Sequence, residues 1–300
     1  MYVITGATGN TGKVITEKLL AAGQQVRVIG RSVDKLQPFA AKGAEPFPAS
    51  VEDAAALTRA FSGARAVYAM VPPSMTSKDY RAEQERITDA LAAAITQAGV
   101  KYAVTLSSFG ADKPDKTGPI AGLHNLEEKL NRIAGLNVLH LRAGYFMENL
   151  LAQIGVVRSM GMLAGPLKGD VALPMIATRD IGEYAAGALW RLDFSGHETR
   201  ELQGARDVTM KEAATAIGQA IGKPGLSYTN APAMMLKPAM VAMGMSSNIV
   251  DLILEMSEAI NNARVAALEP RSPQNTTPTT IEWFVANVFA PAFQYKAAGA

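Results

Sequence analysis

The sequence predicts an α/β fold: a doubly wound parallel sheet with a smaller, mainly helical lobe in the C-terminal half. Three observations predict it. Short apolar runs alternate with helical stretches through the first half, a glycine-rich turn joins the first run to the first helix, and the second half becomes helical and rich in methionine.

The apolar runs lie at 2–5, 26–30, 66–71, 101–107 and 137–142. Val, Ile, Leu and Ala fill them without polar alternation, the pattern of parallel strands covered on both faces. Between the first two runs, a helix from Gly12 to Ala22 turns Val14, Ile15, Leu19 and Leu20 inward and stops at Gly23. A second helix runs from about Asp79 to Ala98, before Gly99. Right-handed crossovers then leave few arrangements other than a doubly wound sheet. Further on, the chain reads as a helix over 179–192, a short strand near 199–203 and a helix from Thr209 to Ile221. Six of the 14 methionines fall between Met234 and Met256, which marks that stretch as a separate helical region. A Pro/Thr-rich loop, 270–280, leads into a last helix. We expect residues 1–150, with about 178–205, to form the sheet domain, and 151–177 with 206–300 the lobe. The lobe is expected over the carboxyl ends of the strands, where open α/β sheets bind ligands.

Composition narrows the function. With 29 basic and 27 acidic residues the formal charge is +2, so nothing electrostatic points to nucleic acid. The absence of cysteine excludes disulfides, thiolate zinc sites and thiol nucleophiles. His140 and His197 have no partners at ligand spacing, and no metal site is expected. The chain opens on Tyr2-Val3-Ile4 with no basic, leader-like start. No apolar run reaches the roughly 20 residues of a membrane span. The stretch near 231–245 is broken by Pro232, Lys237 and Pro238. A cytoplasmic protein without membrane contact is the expectation.

The strongest local signal is GATGNTG, residues 6–12. Gly6, Gly9 and Gly12 follow a strand directly and open a helix, the context in which this spacing binds a dinucleotide. Gly6 permits the tight turn, Gly9 clears the pyrophosphate, and Gly12 lets the helix approach the strand. With Thr8, Asn10 and Thr11 they present free N–H groups and the positive end of the helix dipole to the phosphates. A Rossmann-type site follows. The second strand selects the cofactor. An acid normally holds the ribose hydroxyls there, yet the strand ends Val28-Ile29-Gly30-Arg31-Ser32. Arg31, assisted by Ser32 and Lys35, suits a 2′-phosphate, so NADP(H) is expected over NAD(H).

Longer motifs carry a resemblance. TGATGNTG, GRSVDKL, Val71-Pro72-Pro73, Leu106-Ser107-Ser108, HNLEEKL at 124–130, LRAGYFMENLL at 141–151, TRDIGEYAA at 178–186 and TPTTIEWF at 277–284 span nearly the whole chain. In these the chain resembles the NmrA-like group of atypical short-chain dehydrogenase/reductases. The resemblance implies that Val71, Pro72, Ser107, Phe109 and Tyr145 join the cofactor site. It also implies a substrate cleft between sheet domain and lobe. The group holds both quinone and dye reductases and cofactor-sensing regulators, so fold alone does not choose between them. At 49–51 the chain reads Ala-Ser-Val, where relatives often carry an Asp near the adenine.

Ordinary short-chain dehydrogenases use a Ser and a Tyr-x-x-x-Lys pair. Here His124 and Glu128 stand in place of the pair, and Ser107 or Ser108 keeps the Ser position. In the isoflavone-reductase branch a Lys replaces His124. An imidazole exchanges protons near neutral pH, so His124 is a candidate acid; orienting substrate or capping a helix is the alternative. Without the Tyr/Lys pair a simple ketone lacks its proton donor. A quinone, azo bond or cationic dye takes hydride to give a delocalised product and depends more on positioning. The expectation is therefore an NADPH-dependent reductase of a small electron-poor aromatic, with a homodimer left open. The alternative is a non-catalytic NADP(H) sensor that docks a protein partner through an apolar patch on the lobe. A sugar-nucleotide epimerase is disfavoured by the missing pair. Phe109, Tyr145, Phe146, Met147, Met234, Met235, Met240, Met243 and Met245 are candidates for an apolar slot. Asn149 either donates to substrate or holds its loop. Arg179-Asp180 is expected to start a helix and fix a loop. Glu127, Glu128, Lys129 and Arg132 read as a solvated helix face.

Overall fold

Each parallel strand must return through a crossover, and in the first half every crossover carries a helix. The structure, a computed structural model that describes residues 1–295, begins β1 (Tyr2–Ile4), α1 (Asn10–Ala21), β2 (Val26–Gly30), α2 (Val33–Ala40), β3 (Glu45–Pro48), α3 (Ala54–Phe61) and β4 (Ala66–Ala69). It continues α4 (Tyr80–Gln97), β5 (Tyr102–Ser108), α5 (Ile120–Asn131), β6 (Asn137–Ala143), β7 (Tyr145–Phe146), α6 (Ile154–Met160), β8 (Leu163–Gly165) and β9 (Leu173–Ile176). Then come α7 (Thr178–Arg191), β10 (His197–Leu202), β11 (Asp207–Val208), α8 (Met210–Ala220), β12 (Tyr228–Asn230), α9 (Ala233–Ala242) and α10 (Ser247–Asn261). A helical segment, Ile281–Gln294, closes the described chain and contains a π-turn at 285–289.

Seven strands form one sheet in the order β10-β6-β5-β4-β1-β2-β3, every neighbouring pair parallel. This is the predicted doubly wound sheet, with β10 added beside β6. One face packs on α1 and α7 through Ile4, Ile15, Leu19, Val104, Ile181 and Leu189. The other packs on α3, α4 and α5 through Val3, Leu57, Phe61, Leu91, Ile95 and Leu126.

Three early elements left no clear sequence signal, for local reasons. Helix α2 contains Pro38. Strand β3 reads Glu-Pro-Phe-Pro, tolerable because it is the sheet's edge strand. Helix α3 begins with three alanines, which carry no amphipathic contrast.

Inside the sheet, Thr105 on β5 faces His140 on β6. His140 is fully buried, its Nδ1 2.7 Å from Thr105 Oγ1 and its Nε2 2.9 Å from Asn131 Oδ1. The amide oxygen can only accept, so Nε2 carries the proton and Nδ1 accepts from the threonine. Burial pushes the imidazole down to about 4. The unfolded chain takes up this proton near 6.5, so between those values acid favours unfolding. Removing the effect is worth about 3 kcal/mol between pH 7 and pH 4. Denaturant titrations of the wild type and of His140→Gln across this range should show a shallower loss of stability in the variant. Parallel curves would contradict the account.

A second core forms under the lobe from Met147, Leu150, Val157, Met175, Ile217, Ile281 and Phe284. Helix α9 differs from every other long helix in that none of its residues is buried. Among the described residues no helix is long and apolar enough to cross a membrane.

Candidate functional site

Because the sheet strands are parallel, the segments that follow β1, β2, β4, β5 and β6 all leave its carboxyl edge. Those segments hold the glycine motif, Arg31, Val71-Pro72, Phe109 and Tyr145. The lobe reaches across the same edge. Ser246, which caps α10, donates its backbone N–H to Met75 O (2.9 Å), and Asn248 Oδ1 accepts from Tyr80 N (2.9 Å). Further along α10, Glu255 Oε1 accepts from Gly118 N at 3.0 Å. Helix α10 therefore spans the loops after β4 and β5.

The turn after β1 is built for close approach. Gly6 has φ +61°, and a Cβ there would stand 2.7 Å from Met70 Sδ. A Cβ on Gly12 would stand 2.3 Å from the Gly6 carbonyl oxygen. Gly9 precedes α1 with no side-chain cap, so the first N–H groups of the helix stay free, and Thr8, Gly9 and Asn10 are exposed. Thr11 is held from behind: Tyr68 OH donates to its Oγ1 at 3.0 Å, leaving the threonine proton to point elsewhere. Thr5 Oγ1 donates to Tyr68 O at 3.0 Å and accepts from Met70 N at 3.1 Å, which ties the turn to the end of β4. Sequence reasoning missed Thr5 and Tyr68; a hydroxyl within each apolar strand was the available signal. A bare, cradle-shaped helix start fits a pyrophosphate.

At the end of β2, Gly30 lies beside Thr8 Cγ2, which brings Arg31 next to the glycine turn. Arg31 is exposed and forms no ion pair among the described residues. Lys35 is exposed too, while Ser32 Oγ already accepts from Lys35 N and caps α2. The cation that suits a 2′-phosphate is thus free, and the serine has a local structural use.

On the other side of the edge, Phe109 is buried and its N–H bonds Ala143 O at 3.1 Å. His124 is half-buried on α5, with Nδ1 2.8 Å from Ala111 O. A carbonyl only accepts, so Nδ1 carries a proton and Nε2 is the atom left for chemistry.

Ser107 is buried, and its hydroxyl donates to Glu127 Oε1 at 2.5 Å. Arg142 Nε and Nη2 grip the same carboxylate at 3.0 and 2.6 Å. Glu127 is 3% exposed, which corrects the solvated-face expectation for this residue. Its partner lies within β6, where an arginine needs a counter-ion. Lys129 likewise turns to α4 and pairs with Glu85 and Asp89, whereas Glu128 and Arg132 do form an exposed i,i+4 pair.

Tyr145 and Phe146 are half-buried. Burial pushes the Tyr145 phenol up to about 12, with the neighbouring Asn149 side chain acting in the opposite direction. Asn149 is itself exposed. Glu148 accepts from Thr178 N and Oγ1, at 3.1 and 2.6 Å, and burial raises its carboxyl. Asp180 accepts from Thr279 N at 2.9 Å and Oγ1 at 2.7 Å, which pins the 270–280 loop.

The methionine candidates for an apolar slot differ in environment. Met147 is core, whereas Met234 is 85% exposed on α9. Met234 lines an open groove of about 590 Å³ between α9 and α10, with Lys237, Pro238, Val241, Asp251 and Leu254.

The model of the NmrA-like family matches residues 2–285. Quinone oxidoreductase 2 of Escherichia coli is 31% identical over 85% of this chain and 86% of its own length. A (4-alkanoyl-5-oxo-2,5-dihydrofuran-3-yl)methyl phosphate reductase of Streptomyces griseus is 30% identical over 75% of each chain. Among solved structures, an NADPH-dependent quinone oxidoreductase of Escherichia coli complexed with NADPH superposes with a TM-score of 0.80, covering 96% of this chain and all of that one at 24% identity.

Proposed function

Because this chain belongs to the NmrA-like family, we propose that it is a cytoplasmic NADPH-dependent reductase that passes hydride to a quinone-like or other electron-poor aromatic acceptor. The observation that carries the cofactor half is the glycine cradle beside Arg31, which forms no ion pair among the described residues. The names of relatives at 26–31% identity, among them an NAD(P)H azoreductase and a quinone oxidoreductase, support the acceptor half.

The dinucleotide supplies the hydride; the protein holds and aims it. Backbone N–H groups at the start of α1 would receive the pyrophosphate, and Arg31 would pair with a 2′-phosphate. Phe109 and Tyr145 flank the cleft at the ends of β5 and β6. With its ring protonated on both nitrogens, His124 would pass the Nε2 proton to the acceptor oxygen or nitrogen and keep Nδ1–H on the Ala111 carbonyl. Ser107 has its proton engaged by Glu127, so its part is to support the site rather than to donate to substrate.

Arg31→Ala tests the cofactor assignment. A charged hydrogen-bonded pair contributes roughly 1.5–3 kcal/mol, so KM for NADPH should rise about 10- to 100-fold while KM for NADH stays put. An equal rise for both cofactors would remove Arg31 from the 2′-phosphate.

One observation favours a second reading, an NADP(H) sensor that docks a protein. Helix α9 exposes Met234, Met235, Val241 and Met243, and such patches mark interaction surfaces. Tight cofactor binding without turnover of any acceptor separates this reading from the first.

A further inference from the structure

Helix α5 is clasped by two successive rungs of one strand ladder. Ser107 on β5 is paired with Arg142 on β6, and two residues earlier Thr105 is paired with His140. Side chains two apart on a strand share a face, so both rungs point at α5. The upper rung grips Glu127, through Ser107 Oγ and both Arg142 nitrogens. The lower rung grips Asn131, through His140 Nε2 at 2.9 Å. Glu127 and Asn131 are four residues apart, one helical turn.

The same stripe continues to His124, three residues before Glu127. Helix α5 begins at the carboxyl edge of the sheet and runs down it, so the stripe Asn131–Glu127–His124 climbs towards the cofactor edge. At its top His124 is anchored by the Ala111 carbonyl, in the loop that follows β5. Glu127 and Arg142 form an ion pair with both side chains largely buried, their exposure 4% and 13%. A buried pair of this kind contributes little net stability against apolar packing, and its attested use is to specify register. An apolar seam would let α5 slide or rotate by part of a turn. A bidentate fork does not.

We propose that Glu127, held by Arg142 and Ser107, is a positioning residue that fixes the rotation of α5 and so sets the tautomer and aim of the His124 ring. This rests on the reading of His124 as the group that faces the acceptor. It gives Ser107 a defined part without contact to substrate.

The test uses the full chain with NADPH bound, because its three histidines give a simple ¹⁵N imidazole spectrum. In the wild type His124 should show the Nδ1–H tautomer. In Glu127→Gln that preference should weaken, while the exposed His197 keeps its signals. Misplacing a reacting group by about 1 Å can cost 10²-fold, so kcat for quinone reduction should fall by roughly 10- to 100-fold while the Kd for NADPH changes less than about twofold. Ser107→Ala leaves the ion pair intact and should give a smaller effect of the same kind; it serves if Glu127→Gln does not fold. An unchanged His124 tautomer in a folded variant overturns the proposal. If His124→Ala keeps full kcat, the acid assignment falls instead, and the imidazole spectrum alone decides whether Glu127 positions the ring.

Discussion

Gly12→Ala should abolish usable NADPH binding while leaving a folded protein. The added methyl would stand 2.3 Å from the Gly6 oxygen, 2.8 Å from the Gly6 carbonyl carbon and 2.9 Å from Ala7 Cα. All three are backbone atoms, so no side chain can turn aside. Helix α1 cannot simply withdraw, because α7 lies close behind it. A Cβ on Gly182 of α7 would already meet Val14 Cβ at 2.7 Å. The glycine turn must therefore open, and the cradle opens with it. Overpacking costs about 1–3 kcal/mol, offset by about 1 kcal/mol from the better helix propensity of alanine. The fold should survive with its melting temperature lowered by a few degrees. The affinity for NADPH should drop at least about 100-fold, equivalent to roughly 2.7 kcal/mol. Fluorescence titration of the reduced cofactor measures this directly. Wild-type affinity in the variant would mean that the pyrophosphate does not sit on this turn.

His124→Ala should lower kcat for quinone reduction by about 10²-fold, within the range that one general acid contributes. Nδ1–H is committed to the Ala111 carbonyl, so Nε2 is the atom through which His124 exchanges a proton with the acceptor. The Kd for NADPH should hold in the variant. A variant with full activity would remove His124 from the chemistry, although NADPH oxidation could still proceed.

Much of this architecture was legible in the sequence, and the exceptions have physical reasons. Strands β1, β2, β4, β5 and β6 announced themselves because both of their faces are covered, so apolar residues run on without alternation. The glycine turn was legible because only glycine meets its geometry at Gly6 and Gly12. Helices α2 and α3 and strand β3 were not, since Pro38, the alanines at 54–56 and the prolines of the edge strand erase the usual periodicity. Polar burial was the larger gap. Glu127 looks like one more charge on a charged helix face, and only its meeting with Arg142, 15 positions later, shows otherwise. The signal was present in β6: an arginine within a doubly covered strand demands a carboxylate, and the preceding helix supplies the nearest one. Exposure of Met234 was hidden for the opposite reason. A helix as apolar as α9 ordinarily turns its methionines into a core, and tertiary placement alone leaves them outside.

The measurement that bears most directly on the central claim is the oxidation of NADPH by the purified protein in the presence of a small panel of quinones, with NADH run beside it. The account predicts rapid loss of the reduced-cofactor absorbance with NADPH and a quinone, and much slower loss with NADH. Tight NADPH binding with no turnover of any acceptor would contradict it, and would turn attention to the exposed helix α9 and the protein that covers it.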